Sequence, residues 1–118
     1  MSGDLRRRTK SFAVAIIDFC RSLPPTDEAR VIKRQLIRCG TSPGAQCREA
    51  TRARSNAEMI SKIETALQEL DESLYWMELL VEAQIADHKR LQPLMQEADE
   101  LIAMTVTAVR TIKSRTPR

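Results

Sequence analysis

Apolar residues recur along this chain at alternating intervals of three and four, the spacing that places side chains on one face of an α-helix. The clearest series belongs to the third helix and consists of Ile60, Ile63, Leu67, Leu70, Leu74, Met77 and Val81. Together with similar series elsewhere, it predicts helices over residues 4–22, 27–53, 56–84 and 88–114.

Proline and polar residues predict where these helices begin and end. Pro24 and Pro25 stop the first helix, because a proline disfavours helical backbone in the residue before it. Thr26 supplies a capping hydroxyl for the second helix. Ser55 and Glu58 form a capping box at the start of the third helix, in which each side chain satisfies a free backbone N–H group.

Residues 40–44 interrupt the pattern of the second helix. Ser42 followed by Pro43 fits an N-cap followed by a proline at the first helical position. The sequence therefore predicts a second helix that is broken or kinked near residues 40–43, with its two halves roughly in line. The residues assigned to this kink are Gly40, Ser42, Pro43 and Gly44.

The composition favours helices over other folds. The chain has 118 residues, only three glycines and 3% aromatic side chains, whereas sandwiches, barrels and parallel α/β sheets need frequent turns and strand-forming residues. Four long helices with short connections fit an antiparallel up-down-up-down four-helix bundle. We therefore predict an all-α fold in which residues 1–118 form a single domain.

The third and fourth helices carry further apolar residues beside their main series. Either the stripe that faces the core is wide, or a second face is buried between copies of the chain, and the pattern leaves both alternatives open. The second alternative predicts a homo-oligomer. Its candidate interface residues are Met59, Trp76, Leu80, Leu101 and Met104.

Charge is distributed unevenly, although the net charge is only +3. Residues 1–54 hold 12 basic and 5 acidic side chains, whereas residues 55–109 hold 3 basic and 11 acidic ones. The last nine residues, which end at Arg118, are basic again. Either these segments attract one another on a solvated surface, or the two chain ends build a basic surface for a polyanion.

Clustered basic side chains are the candidate contacts for RNA or DNA, where their role would be to neutralise phosphates. They are Arg6, Arg7, Arg8, Lys10, Arg48, Arg52, Arg54, Arg110, Lys113 and Arg115. Glu49 is a competing partner that could neutralise Arg52. Base-stacking aromatics are lacking, because Phe12 and Phe19 lie on a face predicted to be buried. Binding should therefore depend on the backbone and be weakly sequence-specific.

The residues do not form a constellation for catalysis, a metal or a cofactor. Residues 40–44 match the GxSxG pattern of serine hydrolases, but that pattern needs a strand before the serine, and a helix is predicted here. His88 is the only histidine, and the three cysteines lack CxxC spacing. We therefore predict a protein that is not an enzyme, holds no cofactor and does not span a membrane, with reduced thiols typical of the cytoplasm.

Five segments in register resemble a known bacterial family. They are RTKSFA (8–13), QLIRCGTS (35–42), REA (48–50), ARS (53–55) and ESLYWMELL (72–80). From residue 5 to residue 113, the chain resembles the four helix bundle proteins, whose founding members are encoded in intervening sequences of large-subunit ribosomal RNA genes. Pro43 and Gln46 are departures, because members of that family typically have valine and asparagine there.

The resemblance implies an antiparallel four-helix bundle that assembles as a ring-like homopentamer. It also implies kinship with the accessory protein of diversity-generating retroelements, a basic pentameric barrel that works with a reverse transcriptase and nucleic acid. Together with the charge pattern, it favours a non-catalytic homo-oligomeric bundle that binds RNA or DNA backbones through basic side chains. The alternative is a protein–protein interaction scaffold or accessory subunit with no direct nucleic-acid contact.

Overall fold

A computed structural model describes residues 3–115 of the chain, which form four α-helices and no strand. The helices are α1 (Gly3–Cys20), α2 (Asp27–Ala50), α3 (Asn56–Glu82) and α4 (His88–Arg115). The prediction of an all-α helical bundle is therefore confirmed. Each helix begins and ends within three residues of the position predicted from the sequence.

Two of the helix starts are capped by the hydroxyls that the sequence identifies. Thr26 Oγ1 accepts a hydrogen bond from the backbone N–H of Ala29 at 3.3 Å, and Ser55 Oγ accepts one from that of Glu58 at 3.1 Å. α3 ends before residue 84 because Gln84 has a φ of 60°, a left-handed backbone conformation that does not continue a right-handed helix.

α2 continues through residues 40–44, so it is not broken there, and the kink stays a prediction. Ser42 does not act as an N-cap, because its hydroxyl donates to the backbone carbonyl of Arg38 at 2.8 Å, one turn earlier in the same helix. Pro43 is buried inside α2. A proline inside a helix removes one backbone hydrogen bond, and the burial of Pro43 offsets that loss of stability.

Gly40 and Gly44 allow α1 and α2 to approach closely. A Cβ atom at Gly40 would lie 2.9 Å from Ile16 Cγ1, and one at Gly44 would lie 3.3 Å from the backbone oxygen of Thr9. Residues four apart lie on the same face of a helix, so both glycines belong to one packing surface. The structure thus gives these glycines a role in helix packing that the sequence interpretation did not assign to them.

The core follows one face of each helix, but the buried face of α3 differs from the predicted one. Its fully buried residues are Ile63, Ala66, Leu70, Ser73, Met77 and Leu80. Four members of the predicted series are only half-buried, namely Ile60, Leu67, Leu74 and Val81. Small side chains explain the difference, because Ser73 packs closely on α2, with its Oγ 3.3 Å from Cys39 Sγ.

Consecutive helices pack against each other, and α4 closes the bundle by packing against α1. Glu49 near the end of α2 pairs with Lys62 near the start of α3, whereas Arg38 in the middle of α2 pairs with Glu72. The later residue of α2 thus contacts the earlier residue of α3, which is compatible with the predicted antiparallel arrangement. The Cα atoms extend over 51 × 21 × 21 Å, as expected for a bundle two helices wide.

Candidate nucleic-acid interface

Four of the candidate basic residues line one surface cleft between α1 and the C-terminal end of α2. Arg6 and Lys10 come from α1, Arg48 comes from α2, and Arg52 lies just beyond the end of α2. The cleft has a volume of about 440 Å³. Its other lining residues are small or carry a hydroxyl group, namely Ala13, Thr41, Gly44, Ala45 and Thr51. We call this feature the basic cleft.

Helical geometry brings the four cations together. Arg6 and Lys10 are four residues apart in α1, and Cβ atoms at that spacing are about 5–6 Å apart on a helix surface. Arg48 lies in the last turn of α2, and Arg52 lies in the turn that follows it. Gly44 lets the backbone of α2 lie close to that of α1 between the two pairs. The cleft therefore has a pair of cations on each side and short side chains between them.

The basic cleft is also free of neutralising carboxylates. None of its four cations forms an ion pair with an acidic side chain of residues 3–115. Glu49, the expected competitor for Arg52, instead accepts a hydrogen bond from Lys62 Nζ of α3 at 3.1 Å. Because like charges close together repel, an anion that enters the cleft relieves an unfavourable interaction.

Two other arginines of α1 are held by acidic residues. Arg8 Nε donates to Glu97 Oε2 at 3.1 Å, and its Nη2 donates to Glu100 Oε1 at 2.9 Å. The hydrogen bonds to Glu97 and Glu100 raise the pKa of Arg8, and the bond from Arg8 lowers the pKa of Glu100. Arg7 pairs with Asp4 of the same helix. These two arginines are therefore not part of the basic cleft.

The remaining candidates also lie elsewhere. Arg54 is exposed, with its Nε 3.7 Å from the carboxylate of Glu58. The three candidates of α4 are exposed and separate from the basic cleft: Arg110, Lys113 and Arg115. Arg118 lies outside the described residues. Of the ten candidate cations, the fold thus brings four into one cleft and leaves six outside it.

A second groove lies between the start of α1 and the end of α4, and it is mostly apolar. Its volume is about 480 Å³. Its lining residues are Leu5, Ala103, Met104, Thr107, Ala108, Thr111, Ile112 and Arg115. Met104 Sδ also accepts a hydrogen bond from Arg8 Nη1 at 3.3 Å, so Arg8 is tied to α4 by three side chains. We call this feature the apolar groove.

The five candidate interface residues are divided between the core and the surface. Leu80 and Leu101 are fully buried within the single chain, which corrects the expectation that they lie on an outer face. Trp76 is half-buried, and its Nε1 donates to Glu72 at 3.0 Å. Met59 and Met104 are also half-buried. Three of the five therefore retain surface that another chain could contact.

The three cysteines are free thiols, and all of them are buried. Burial raises the pKa of Cys20 to about 11 and also raises the pKa values of Cys39 and Cys47. Among residues 3–115, no group of three or more histidine, cysteine, aspartate and glutamate side chains is placed to hold a metal ion. Over the same range, none of the helices is long and apolar enough to cross a membrane.

Sequence reasoning identified the cations but missed the residues that shape the cleft between them. Thr41, Gly44 and Ala45 come from α2, and Ala13 faces them from α1. A signal was present in the four-residue spacing of Gly40 and Gly44, which places two residues without side chains on one face of a helix. Such a face favours close contact with a neighbouring helix, and the cleft lies beside that contact.

The similarity to known proteins extends over most of the four-helix bundle. The model of the 23S rRNA-intervening sequence protein family matches residues 4–107. The chain is also similar to a solved structure from Bacteroides thetaiotaomicron, described as a protein with unknown function from the S23 ribosomal protein family. That similarity has a TM-score of 0.84 at 30% sequence identity, and it covers 89% of this chain and 97% of the other. A search among curated proteins finds no match.

Proposed function

We propose that this chain, which belongs to the 23S rRNA-intervening sequence protein family, is a non-catalytic helical-bundle protein that binds nucleic-acid backbones in the basic cleft. The proposal rests on four cations, Arg6, Lys10, Arg48 and Arg52, which line one cleft without a carboxylate partner among residues 3–115. Arginine and lysine are the residues that neutralise phosphates in protein–nucleic acid complexes.

The chemistry of the cleft favours phosphate over base recognition. Three of its cations lie on helices and Arg52 lies in the turn just after α2, and the remaining lining side chains are too short to reach far into a groove of a nucleic acid. Contacts to phosphates position a protein but carry no sequence information. We therefore expect similar affinities for nucleic acids of different sequence.

Salt dependence is the first test of this function. If one chain neutralises four phosphates of a duplex, the logarithm of the binding constant falls with the logarithm of salt concentration with a slope of about −3.6. Affinity for a mixed-sequence RNA duplex should then fall roughly 150-fold between 50 and 200 mM salt. Fluorescence anisotropy measures both quantities, and undetectable binding at 50 mM salt would refute the function.

Matched variants test the location of the site. The double substitution Arg48→Gln and Arg52→Gln removes two charges from the basic cleft and should make the salt slope shallower by about 1.8. The control, Arg110→Gln with Lys113→Gln, removes the same charge from α4 and should leave the slope unchanged. Equal effects of the two double variants would place the binding site elsewhere.

We further propose that the protein assembles as a homo-oligomer, as its resemblance to the four helix bundle proteins implies. Large apolar side chains on the outside of the single chain support this, in particular Val14 and Val31, which are 63% and 57% exposed. Assembly multiplies the basic clefts, and linked sites gain affinity by avidity. Light scattering on a sizing column tests assembly, for which five copies are expected and a monomer at micromolar concentration is the contrary result.

A protein partner is the second candidate function, and Tyr75 is the observation that favours it. Its side chain is 55% exposed on α3 and lies one turn from Asp71 and Glu78, which are exposed as well. Exposed tyrosines are enriched in protein interfaces. Substituting Tyr75→Ser should abolish co-purification of such a partner without changing nucleic-acid affinity, whereas the cleft variants should do the reverse.

A further inference from the structure

None of the aromatic residues of the chain lines the basic cleft. The sequence contains two phenylalanines, one tyrosine and one tryptophan. Phe12 and Phe19 are buried in the core, and Tyr75 and Trp76 belong to α3, which does not line the cleft. Proteins that bind single-stranded nucleic acid stack successive bases on aromatic side chains beside a basic groove. The basic cleft has the charges of such a site but not its stacking surfaces.

We propose that the basic cleft binds double-stranded rather than single-stranded nucleic acid, an inference that rests on the proposed function. In a duplex, the bases already stack on one another and form pairs, so they need no surface on the protein. One sugar-phosphate backbone of the duplex lies along the cleft, with Arg6 and Lys10 on one side of it and Arg48 and Arg52 on the other.

The arrangement of charge in the nucleic acid favours the same choice. A duplex carries one negative charge per about 1.7 Å of its axis, compared with about 3.4 Å for one of its strands. Although only one backbone lies in the cleft, the phosphates of the second strand add to the negative potential that the four cations meet. A single strand must also lose conformational freedom to follow the cleft, and no stacking contact offsets that loss.

The small side chains of the cleft agree with backbone binding. Ala13, Gly44 and Ala45 present no side chain that could insert between bases or hydrogen-bond to their edges. Thr41 and Thr51 donate their hydroxyl protons to backbone carbonyls of Ile37 and Arg48 at 2.6 and 2.7 Å. The uncharged part of the cleft thus supplies a smooth surface between two pairs of cations rather than a pocket for a flipped base.

A comparison of one strand with its own duplex tests the inference. The strand is a 24-nucleotide RNA of uracil and cytosine only, which does not pair with itself, and its purine complement completes the duplex. At 50 mM salt, fluorescence anisotropy should give an affinity for the duplex more than about fivefold higher than for the strand, beyond the twofold that the number of phosphates supplies. A ratio of fivefold or less overturns the inference.

Two variants separate failure of this inference from failure of the proposed function. With Arg48→Gln and Arg52→Gln, duplex affinity should fall about 100-fold at 50 mM salt, while Arg110→Gln with Lys113→Gln changes it less than threefold. If wild-type protein binds the single strand equally well and the cleft variant loses both ligands, only the preference for duplexes is wrong. If the cleft variant binds both ligands like the wild type, the proposed function itself fails.

Discussion

Arg6 and Arg8 are two residues apart on α1, yet they take part in opposite kinds of surface. Arg6 lines the basic cleft on the side of α2, where no acidic side chain of the described residues pairs with it. Arg8 points to α4, where Glu97, Glu100 and Met104 accept hydrogen bonds from it beside the apolar groove. The two grooves have similar volumes, about 440 and 480 Å³, but the basic cleft is lined by four cations and the apolar groove by one, Arg115.

The difference shows that the neighbouring helix, rather than the arginine itself, determines what a basic residue does. A cation that faces carboxylates stabilises the contact between two helices, whereas one that faces small neutral residues stays available to a ligand. The three consecutive arginines 6–8 therefore have different roles. The first lines the basic cleft, the second forms a local ion pair with Asp4, and the third joins α1 to α4.

The largest effect is expected from a substitution that pushes α1 and α2 apart. In Gly44→Val, the added methyl groups meet the backbone of α1 near Thr9, where even a Cβ atom would lie at 3.3 Å. We expect the free energy of unfolding to fall by about 2–3 kcal/mol, measured by urea denaturation. Ala45→Val, one residue along and exposed, is the control and should cost less than about 1 kcal/mol. Equal losses for both variants would contradict the close approach at Gly44.

Separate substitutions of Arg6 and Arg8 test directly whether the two arginines have different roles. Arg6→Gln should weaken binding of duplex RNA roughly tenfold at 50 mM salt, because one phosphate contact is lost. Arg8→Gln should change that affinity less than twofold but lower the free energy of unfolding by about 1 kcal/mol, because Arg8 joins α1 to α4. Anisotropy and urea denaturation measure the two effects. If both variants lose the same affinity, the two arginines are not distinguished by their neighbours.

Removing the carboxylates that hold Arg8 should have a smaller effect. In the double variant Glu97→Gln and Glu100→Gln, Arg8 loses both charged partners and becomes free to attract an anion. We expect two- to threefold tighter binding of duplex RNA and only a small loss in the free energy of unfolding, because Glu100 is exposed to solvent. As a control, Glu64→Gln with Asp71→Gln removes the same charge from α3. An equal gain in RNA affinity in both double variants would show that the effect comes from net charge alone.

The smallest expected effect is a pH dependence at Glu100. Because the hydrogen bond from Arg8 makes the pKa of Glu100 lower in the folded chain than in the unfolded one, their ion pair contributes stability at pH values above the unfolded pKa. That contribution is lost as the pH falls through the folded pKa. The difference in melting temperature between wild type and Glu100→Gln should therefore shrink between pH 6 and pH 3. A difference that stays constant over this range would exclude the ion pair as its cause.

The helices and their ends were predictable because they depend on local patterns. Intervals of three and four, the prolines at 24 and 25 and the capping hydroxyls of Thr26 and Ser55 each act within one or two turns. The buried face of α3 was less predictable. Ser73 is polar and Ala66 is small, so neither stands out in an apolar series, although both are fully buried against neighbouring helices.

The basic cleft could be predicted only in part. Its cations were among ten candidates, and no local feature separates Arg6 from Arg8, although the nearby Glu58 sets Arg54 apart from Arg52. The distinction depends on contacts over long sequence separations, such as those of Arg8 with residues 97 and 100 and of Glu49 with Lys62. Spacing along one helix gives the face on which a residue lies, but not which side chains of another helix it meets.

The sequence by itself determined four helices, a basic N-terminal half, an acidic third helix and a buried face for Phe12 and Phe19. These properties follow from residue types and from the 3.6-residue period of the helix. Only the tertiary structure decided which cations stay free. The packing of α4 on α1 placed two carboxylates against Arg8, and the close contact of α2 with α1 at Gly44 left Arg6, Lys10, Arg48 and Arg52 together without acidic partners among the described residues.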